Sequence, residues 1–140
     1  MQGVNFGGKH SYYAWGLILQ EAPVVSPPKV KSKLVDVLGA HGSLDLTEML
    51  TGCVMYEMRD ITCKFTMAAP RERWPSLYSE ILNFLHGKTM EITMDNDQDY
   101  SWTGRAEIKD WNPGQTVAEL TIKVKVAPFK TSRLDGRQVL

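Results

Sequence analysis

Residues 74–103, WPSLYSEILNFLHGKTMEITMDNDQDYSWT, contain an amphipathic segment, a glycine and two alternating segments, and they decide the fold class. At 100° per residue, the apolar side chains of the amphipathic segment fall within an arc of about 160°. Pro75 suits the first helical turn, and Gly87 suits the left-handed residue that ends a helix. We therefore predict one helix over residues 74–86, with a core-facing side made of Trp74, Leu77, Tyr78, Ile81, Leu82, Leu85 and Phe84.

The two alternating segments after Gly87 predict a β-hairpin. Apolar residues alternate over Met90, Ile92 and Met94, and again over Tyr100, Trp102, Ala106 and Ile108. Because side chains of a strand alternate between its faces, each segment presents one apolar face. We expect the helix to cover that face.

The link between the two strands is acidic. Asp95, Asp97 and Asp99 have the spacing that begins a calcium-binding loop. The sixth and twelfth positions of such a loop must be Gly and Glu, but here they are Tyr100 and Ala106. We therefore expect no metal site, and predict either a solvated acidic turn over residues 95–99 or an acidic surface that contacts a basic partner.

The remaining patterned segments read as strands. Their apolar residues are alternating or β-branched, and Gly or Pro lies near several of their ends; they are Trp15–Leu19, Leu34–Val37, Ser43–Thr47, Val54–Met67 and Ala118–Val126. In Val54–Met67 the apolar parity switches at Arg59–Asp60, which predicts a β-bulge, a bend between sheets, or a half that contacts a neighbouring subunit. We predict a mainly β protein with one α-helix, in which a β-sandwich or split barrel carries the helix on one side and one or more projecting hairpins.

Length and charge restrict the class of protein further. The 140 residues suit a single domain, which we assign to residues 1–129, followed by a basic polar tail over 130–140 that is either disordered or ordered by a partner. Lys and Arg total 16, as do Asp and Glu, so overall charge gives no long-range attraction to nucleic acid or an anionic membrane. Neither a signal peptide nor an apolar run of membrane-spanning length is present. We expect a soluble protein made in the cytoplasm, with Cys53 and Cys63 as small buried residues that do not form a disulfide.

Catalytic and cofactor motifs are not found. Gly3 and Gly8-Lys9 have P-loop spacing, but His10 stands where Ser or Thr must bind magnesium, and no strand precedes the loop. His10, His41 and His86 lie in three different segments, and none has a companion motif. We therefore expect a protein that is not an enzyme and holds no cofactor or metal, with His86 facing the end of the helix dipole.

Charged residues are clustered along the chain. Lys29, Lys31 and Lys33 alternate, which on a strand places three cations on one face. Such a face can be solvated, can guard an exposed sheet edge, or can contact an acidic neighbour. In a ring of identical subunits, a heterologous contact can bring unlike clusters together. The candidate assembly surface is therefore Asp95, Asp97, Asp99, Lys29, Lys31 and Lys33, and the hairpin near Val37–Tyr56 is a second candidate for contacting the adjacent subunit or lining a lumen.

A series of short motifs runs along almost the whole chain. In order they are Phe6-Gly-Gly-Lys-His-Ser11, Trp15-Gly-Leu17, Gly42-Ser-Leu-Asp-Leu-Thr-Glu48, Tyr56-x-x-Arg59, Leu82-Asn-x-Leu-His-Gly87 and Tyr100-x-x-x-Gly104-Arg105. Together they resemble the N-terminal domain of siphophage distal tail proteins. Each motif is weak alone, and their order over residues 6–129 carries the resemblance. The chain departs from the family pattern at Ala14, where an acid is usual, and at Leu38, where Pro is usual.

The resemblance implies a non-enzymatic virion protein of a phage or prophage tail tip, present in the host cytoplasm before assembly. It implies a homo-hexameric ring between the tail tube protein and the tail-associated or tail fibre protein, with the tape measure protein as a further partner. DNA would pass through the lumen without specific recognition, and no membrane is involved. The galectin-like or carbohydrate-binding second domain of many members has no counterpart here, so direct sugar binding is not expected. A tail tube subunit and a small β-barrel module that binds a peptide or glycan are the alternatives.

Overall fold

A computed structural model describes residues 2–32, 34–46 and 52–140. Within these ranges the chain is mostly β and has two α-helices, α1 (Ser11–Trp15) and α2 (Trp74–Leu85), with a short 3₁₀ turn at Arg71–Arg73. The strands are β1 (Val4–Phe6), β2 (Lys9–His10), β3 (Leu17–Leu19), β4 (Val24–Val25), β5 (Leu34–Asp36), β6 (Ser43–Asp45), β7 (Arg59–Met67), β8 (Lys88–Met94), β9 (Asp97–Pro113), β10 (Ala118–Val126), β11 (Lys130–Ser132) and β12 (Gln138–Val139). Neither helix is long and apolar enough to cross a membrane.

One antiparallel sheet forms the body of the protein. Its strands follow the order β2-β1-β8-β9-β10-β7-β3, and β4 also pairs with β7. The sheet curls into a half-barrel, as the predicted split barrel requires. The hairpin of β5 and β6 is a separate two-stranded sheet. The prediction of a mainly β fold with one substantial helix on the sheet is therefore confirmed.

Helix α2 covers the core as its periodicity predicts. Trp74, Leu77, Ile81 and Leu85 are almost fully buried, and Ile81 has no exposed surface. Leu82 is half-buried, as is Tyr78, whose ring stacks on Trp111 at 4.6 Å between centroids. The helix ends at Leu85, and Gly87 has the predicted left-handed backbone with φ of 76°.

Helix α1 was not predicted. Residues 15–19 read as one apolar strand, but the strand covers only Leu17–Leu19 because a five-residue helix ends at Trp15. The helix begins with a cap from His10, whose Nδ1 accepts a hydrogen bond from the Tyr12 N–H at 3.1 Å. Histidine is a less familiar cap than Ser, Thr, Asp or Asn, so the start signal was missed.

Strand β7 begins later than predicted. It covers Arg59–Met67, and the preceding residues Val54–Met58 lie outside any strand apart from a single bridge between Val30 and Tyr56. The change of apolar parity therefore marks the start of the strand. The predicted bulge at Arg59–Asp60 is wrong, because β7 pairs with β10 in unbroken register over its whole length. A register shift occurs instead between β10 and β9, at Thr121/Ile122.

The acidic turn is shorter than predicted. β8 ends at Met94 and β9 begins at Asp97, so the turn consists of Asp95 and Asn96 alone. Asp97 and Asp99 belong to β9, because the ladder pairs Met94 with Asp97. The predicted hairpin is confirmed, whereas the five-residue turn is wrong.

The C-terminal segment is ordered by its own chain. β11 pairs with β9 at Tyr100 and Ser101, and also with β12. The expectation that residues 130–140 are disordered or depend on a partner for order is therefore wrong. The assignment of a domain boundary near residue 129 remains a prediction.

The two cysteines have opposite environments. Cys63 on β7 is fully buried, whereas Cys53 is exposed. Burial raises the pKa of the Cys63 thiol to about 12, because the thiolate loses its hydration. Cys63 therefore behaves as an apolar core residue, and the prediction of burial is wrong for Cys53.

Candidate assembly surface

A hairpin leaves the sheet between β4 and β7, and we call its described residues, 29–32, 34–46 and 52–57, the arm. Near its base, the Lys31 N–H donates to the Met55 carbonyl at 2.8 Å and the Glu57 N–H donates to the Lys29 carbonyl at 2.7 Å. Further out, β5 and β6 pair only with each other in the described chain. The described arm is thus an antiparallel ribbon, and two of the predicted strands pair in it over Leu34–Asp36 and Ser43–Asp45. Residues 47–51 lie outside the described ranges.

One face of the arm is apolar and exposed. Val35 and Leu44 are cross-strand partners, so their side chains lie on the same face. Val35 is 37% exposed and Leu44 is 52% exposed, although both sit in regular strands. The large exposed apolar residues of the arm are Val30, Leu34, Val35, Val37, Leu38, Leu44, Val54 and Met55.

Such an arm lacks the packing that normally stabilises a hairpin. An isolated two-stranded hairpin is marginally stable in water, and a strand pair with an apolar face needs a further layer to cover it. The Asp36 and Ser43 pair occupies the opposite face, where the Ser43 hydroxyl donates to the Asp36 carboxylate. The arm therefore presents Val35 and Leu44 on one face, which suits contact with another protein surface, while the opposite face carries the polar Asp36 and Ser43 pair together with exposed Leu34.

The predicted acidic surface is divided among three environments. Asp95 accepts hydrogen bonds from His10 Nε2 at 2.7 Å and from the Gly3 N–H at 2.9 Å. Asp97 forms an ion pair with Lys130 at 2.7 Å, and both side chains are partly buried. Asp99 is exposed, and its carboxylate makes no hydrogen bond or ion pair within the described ranges. Asp99 is therefore the member of the set that is most available to a partner.

The predicted basic face lies at the base of the arm. Lys29 and Lys31 are both exposed and form no ion pair with any described acidic residue. Lys29 and Lys31 flank Val30, which forms a bridge with Tyr56. By alternation, the two lysines lie on the face of the ribbon opposite to Val30 and Tyr56. Lys33 lies outside the described residues. Whether the basic face contacts an acidic surface therefore stays a prediction.

Motif analysis did not predict the contacts that the histidines make. His10 Nε2 contacts Asp95, and Ser11 follows His10 in the chain. Ser, His and Asp are the three residue types of a catalytic triad. However, the Ser11 hydroxyl is buried and accepts a hydrogen bond from the Val4 N–H at 3.1 Å, while the other nitrogen of His10 caps α1. The cluster therefore fastens the N-terminal strand to the β8–β9 turn and has no nucleophile exposed to a substrate.

Other titratable groups also have structural roles. His86 Nδ1 accepts a hydrogen bond from the Ile108 N–H at 3.0 Å, at a point where β9 extends beyond β8. His86 thus accepts from a backbone N–H of β9 that has no partner on β8. It also lies at the end of α2, as the sequence predicts. No three His, Cys, Asp or Glu side chains of the described residues converge as metal ligands would.

Comparisons with known proteins give a structural relative. No family model and no curated protein sequence matches the chain. The crystal structure of the SPP1 Dit (gp 19.1) protein superposes on 94% of this chain with a TM-score of 0.71 and 13% sequence identity. The chain shares its fold with SPP1 Dit. That protein is described as a paradigm of the hub adsorption apparatus in phages that infect Gram-positive bacteria.

The chain spans about half the length of SPP1 Dit, since the superposition covers 52% of that protein. Two looser matches are chains from gene transfer agent particles. One belongs to the native virion (14% identity, TM-score 0.45, 90% of this chain and 95% of that one). The other belongs to the tail of the empty particle, refined with C6 symmetry (14% identity, TM-score 0.41, 84% of this chain and 82% of that one). With these TM-scores, neither match supports an argument about this chain.

Proposed function

We propose that this chain is a structural subunit of a phage or prophage tail tip that forms a hexameric ring. The ring joins the tail tube protein to the tail-associated or tail fibre protein, and DNA passes through its lumen. The chain acts without catalysis and without a cofactor. The observation that carries the proposal is the arm, an ordered hairpin whose apolar face has no cover within the described chain.

The arm favours assembly over a monomeric role. The body of the protein already buries a continuous core, which includes Phe65, Ile81, Leu120 and Ile122, so the arm is not needed to complete it. An exposed apolar patch that the core does not use marks an interaction site. In a ring of identical subunits, the same arm meets the same neighbouring surface at every interface, and the ring closes without leaving an uncovered arm.

The shared fold with SPP1 Dit supports the same location in the virion. That protein is a phage hub component, and its fold is matched over almost all of this chain. Fold alone does not determine function, so the argument depends on the combination of the fold with the uncovered arm. The tape measure protein and the tube protein are proposed partners on the same basis.

Light scattering and negative-stain imaging of the purified chain over a concentration series test the proposal. A six-fold annulus of six times the 15.8 kDa subunit mass is the expected result. Long stacked tubes would identify a tail tube subunit instead. A chain that stays monomeric at high concentration, alone and with the tube and tail-associated proteins of the same phage, would contradict the ring and favour a small binding module.

A mutation at the acidic surface tests its proposed part in the contact. Asp99→Asn removes the exposed carboxylate, and Asp97→Asn removes one that is paired with Lys130. We expect Asp99→Asn to weaken assembly and reduce its sensitivity to salt. Unchanged ring size, assembly and salt sensitivity in Asp95, Asp97 and Asp99 variants would exclude these residues from the interface.

A further inference from the structure

Arg59 lies where the arm joins the sheet. It is the first residue of β7, and its Nε donates to the Ser26 carbonyl at 2.9 Å. Its Nη1 donates to the Pro128 carbonyl at 3.2 Å, just after β10. The guanidinium also lies over the ring of Trp102 on β9, with 5.0 Å between Cζ and the ring centroid. One side chain thus connects the segment before the arm, the strand after it and two further parts of the body.

The charged guanidinium of Arg59 contacts backbone carbonyls and an aromatic ring. No carboxylate of the described residues forms an ion pair with it. Partial burial lowers the pKa of Arg59, because the charged form is partly removed from water. Backbone carbonyls and an aromatic face compensate that cost, which suits a planar guanidinium with several fixed donors. A lysine ammonium cannot reach two carbonyls in the same geometry and also stack on a ring.

Hydrogen bonds between Ser26 and Asp60 also hold the base of the arm. The Ser26 N–H donates to the Asp60 carbonyl at 3.0 Å, and the Asp60 N–H donates to the Ser26 hydroxyl at 3.0 Å. The ring of Tyr56 meets that of Phe129 edge to face at 6.1 Å. Beyond this base, the strand pairing within the described part of the arm is between β5 and β6. The direction of the arm is therefore set at its base.

We infer that Arg59 is the positioning residue that fixes the direction in which the arm leaves the sheet. The inference rests on the proposed ring, in which each arm must reach the next subunit at one angle. Without the guanidinium, the Ser26 and Pro128 carbonyls lose the donor that ties them together. The arm then swings about its base while the core of the body stays intact.

Distance measurement by electron paramagnetic resonance tests the inference on the unassembled chain. Spin labels are placed on Leu38→Cys in the arm and Ser79→Cys on α2, both exposed positions, in a Cys53→Ser background. Cys63 is buried and stays unlabelled. The reference chain with Arg59 should give one narrow distance distribution, and Arg59→Met should give a broad one. Arg59→Lys should also broaden it, since the ammonium makes fewer of the contacts.

Arg71 provides a matched control. Its Nη1 donates to the Gln115 carbonyl at 3.0 Å and its guanidinium lies 5.8 Å from the Trp74 ring centroid, and both of these partners lie outside the arm. Arg71→Met should leave the distribution narrow. An unchanged distribution in both Arg59 variants, or equal broadening in Arg71→Met, would overturn the inference.

Assembly is measured separately on the same variants without labels. We expect Arg59→Met to form rings less readily than Arg71→Met. Normal rings from a chain with a broad distribution would overturn the claim that assembly needs a fixed arm. If the unmodified chain itself forms no ring, the proposed function fails, and the distance result still decides whether Arg59 fixes the arm.

Discussion

Replacing the apolar face of the arm should weaken assembly without weakening the fold. The double variant Val35→Ser/Leu44→Ser removes two side chains that are 37% and 52% exposed. Full burial of a Val or Leu side chain stabilises by about 1.5–3 kcal/mol, so covering these exposed fractions contributes about 1–3 kcal/mol per contact. Since about 1.4 kcal/mol corresponds to a factor of ten, the variant should weaken each subunit contact about 10- to 100-fold.

Sedimentation velocity over a concentration series measures this change. The assembled species should appear at higher concentration in the double variant than in the unmodified chain. Urea unfolding of the dilute, unassembled proteins should give the same free energy of unfolding within about 0.5 kcal/mol, because β5 and β6 pair only with each other in the described chain. The two measurements separate loss of contact from loss of fold.

Val117→Ser is the matched control for this prediction. Val117 is 48% exposed and lies in the β9–β10 turn, outside the arm. It should assemble as the unmodified chain does. The reasoning is refuted if the arm variant assembles at the same concentration as the unmodified chain, or if Val117→Ser weakens assembly equally, since the effect would then come from general surface hydrophobicity.

The remaining predictions concern the body of the protein. Ile81→Ala should lower the free energy of unfolding by about 2–5 kcal/mol in urea titrations, because it leaves a cavity in the core, whereas exposed Glu80→Ala should change it by less than about 0.5 kcal/mol. His10→Ala should destabilise by about 1–3 kcal/mol, and His10→Asn should recover part of the loss because Asn also caps a helix. In a Cys53→Ser chain at pH 8, a thiol reagent should modify Cys63 only after denaturation, since burial raises its pKa to about 12; rapid labelling of the native chain would contradict this.

The helix was predictable because its signals are local. The periodicity over residues 74–86, Pro75 and Gly87 all lie within one short segment, and the apolar arc matches the buried face. The strand alternation of Ala118–Val126 is equally local, and it gives β10 with the predicted bounds. These elements needed no knowledge of the rest of the chain.

Contacts between distant residues were not predictable. His10 and Asp95 are 85 positions apart, and nothing in either local segment indicates that they meet. The pairing of Lys130 with Asp97 likewise depends on β11 returning to β9, which no pattern in the polar C-terminal segment predicts. As a result, the sequence grouped Asp95, Asp97 and Asp99 as one acidic cluster, whereas the fold gives two of them partners.

The parity change near Arg59 was a real signal, because a buried strand must keep its apolar residues on one face. The sequence left three interpretations open: a bulge, a bend between sheets, or a half that contacts a neighbouring subunit. The bulge is wrong, since β7 keeps unbroken register with β10, and contact with a neighbouring subunit stays a prediction. The physical reason for the change is that Val54 and Met55 belong to the arm and need not face the core. The change of apolar parity before Arg59 was therefore the sequence signal that these residues belong to an exposed surface and not to the core. The same interpretation applies to Val35 and Leu44, which alternate as a half-buried strand should although their own body does not bury them.

The distribution of charge restricts what can drive the proposed assembly. Asp95 and Asp97 already have cationic or hydrogen-bonding partners within the subunit, so neutralising them has an intramolecular effect first. Asp99 is the remaining exposed acid of the set, and Lys29 and Lys31 are the described bases of the arm. Exposed ion pairs contribute about 0–1 kcal/mol each, which is less than burial of the apolar face of the arm. Assembly should therefore depend more on that face than on charge, and raising the salt concentration should leave most of the affinity in place.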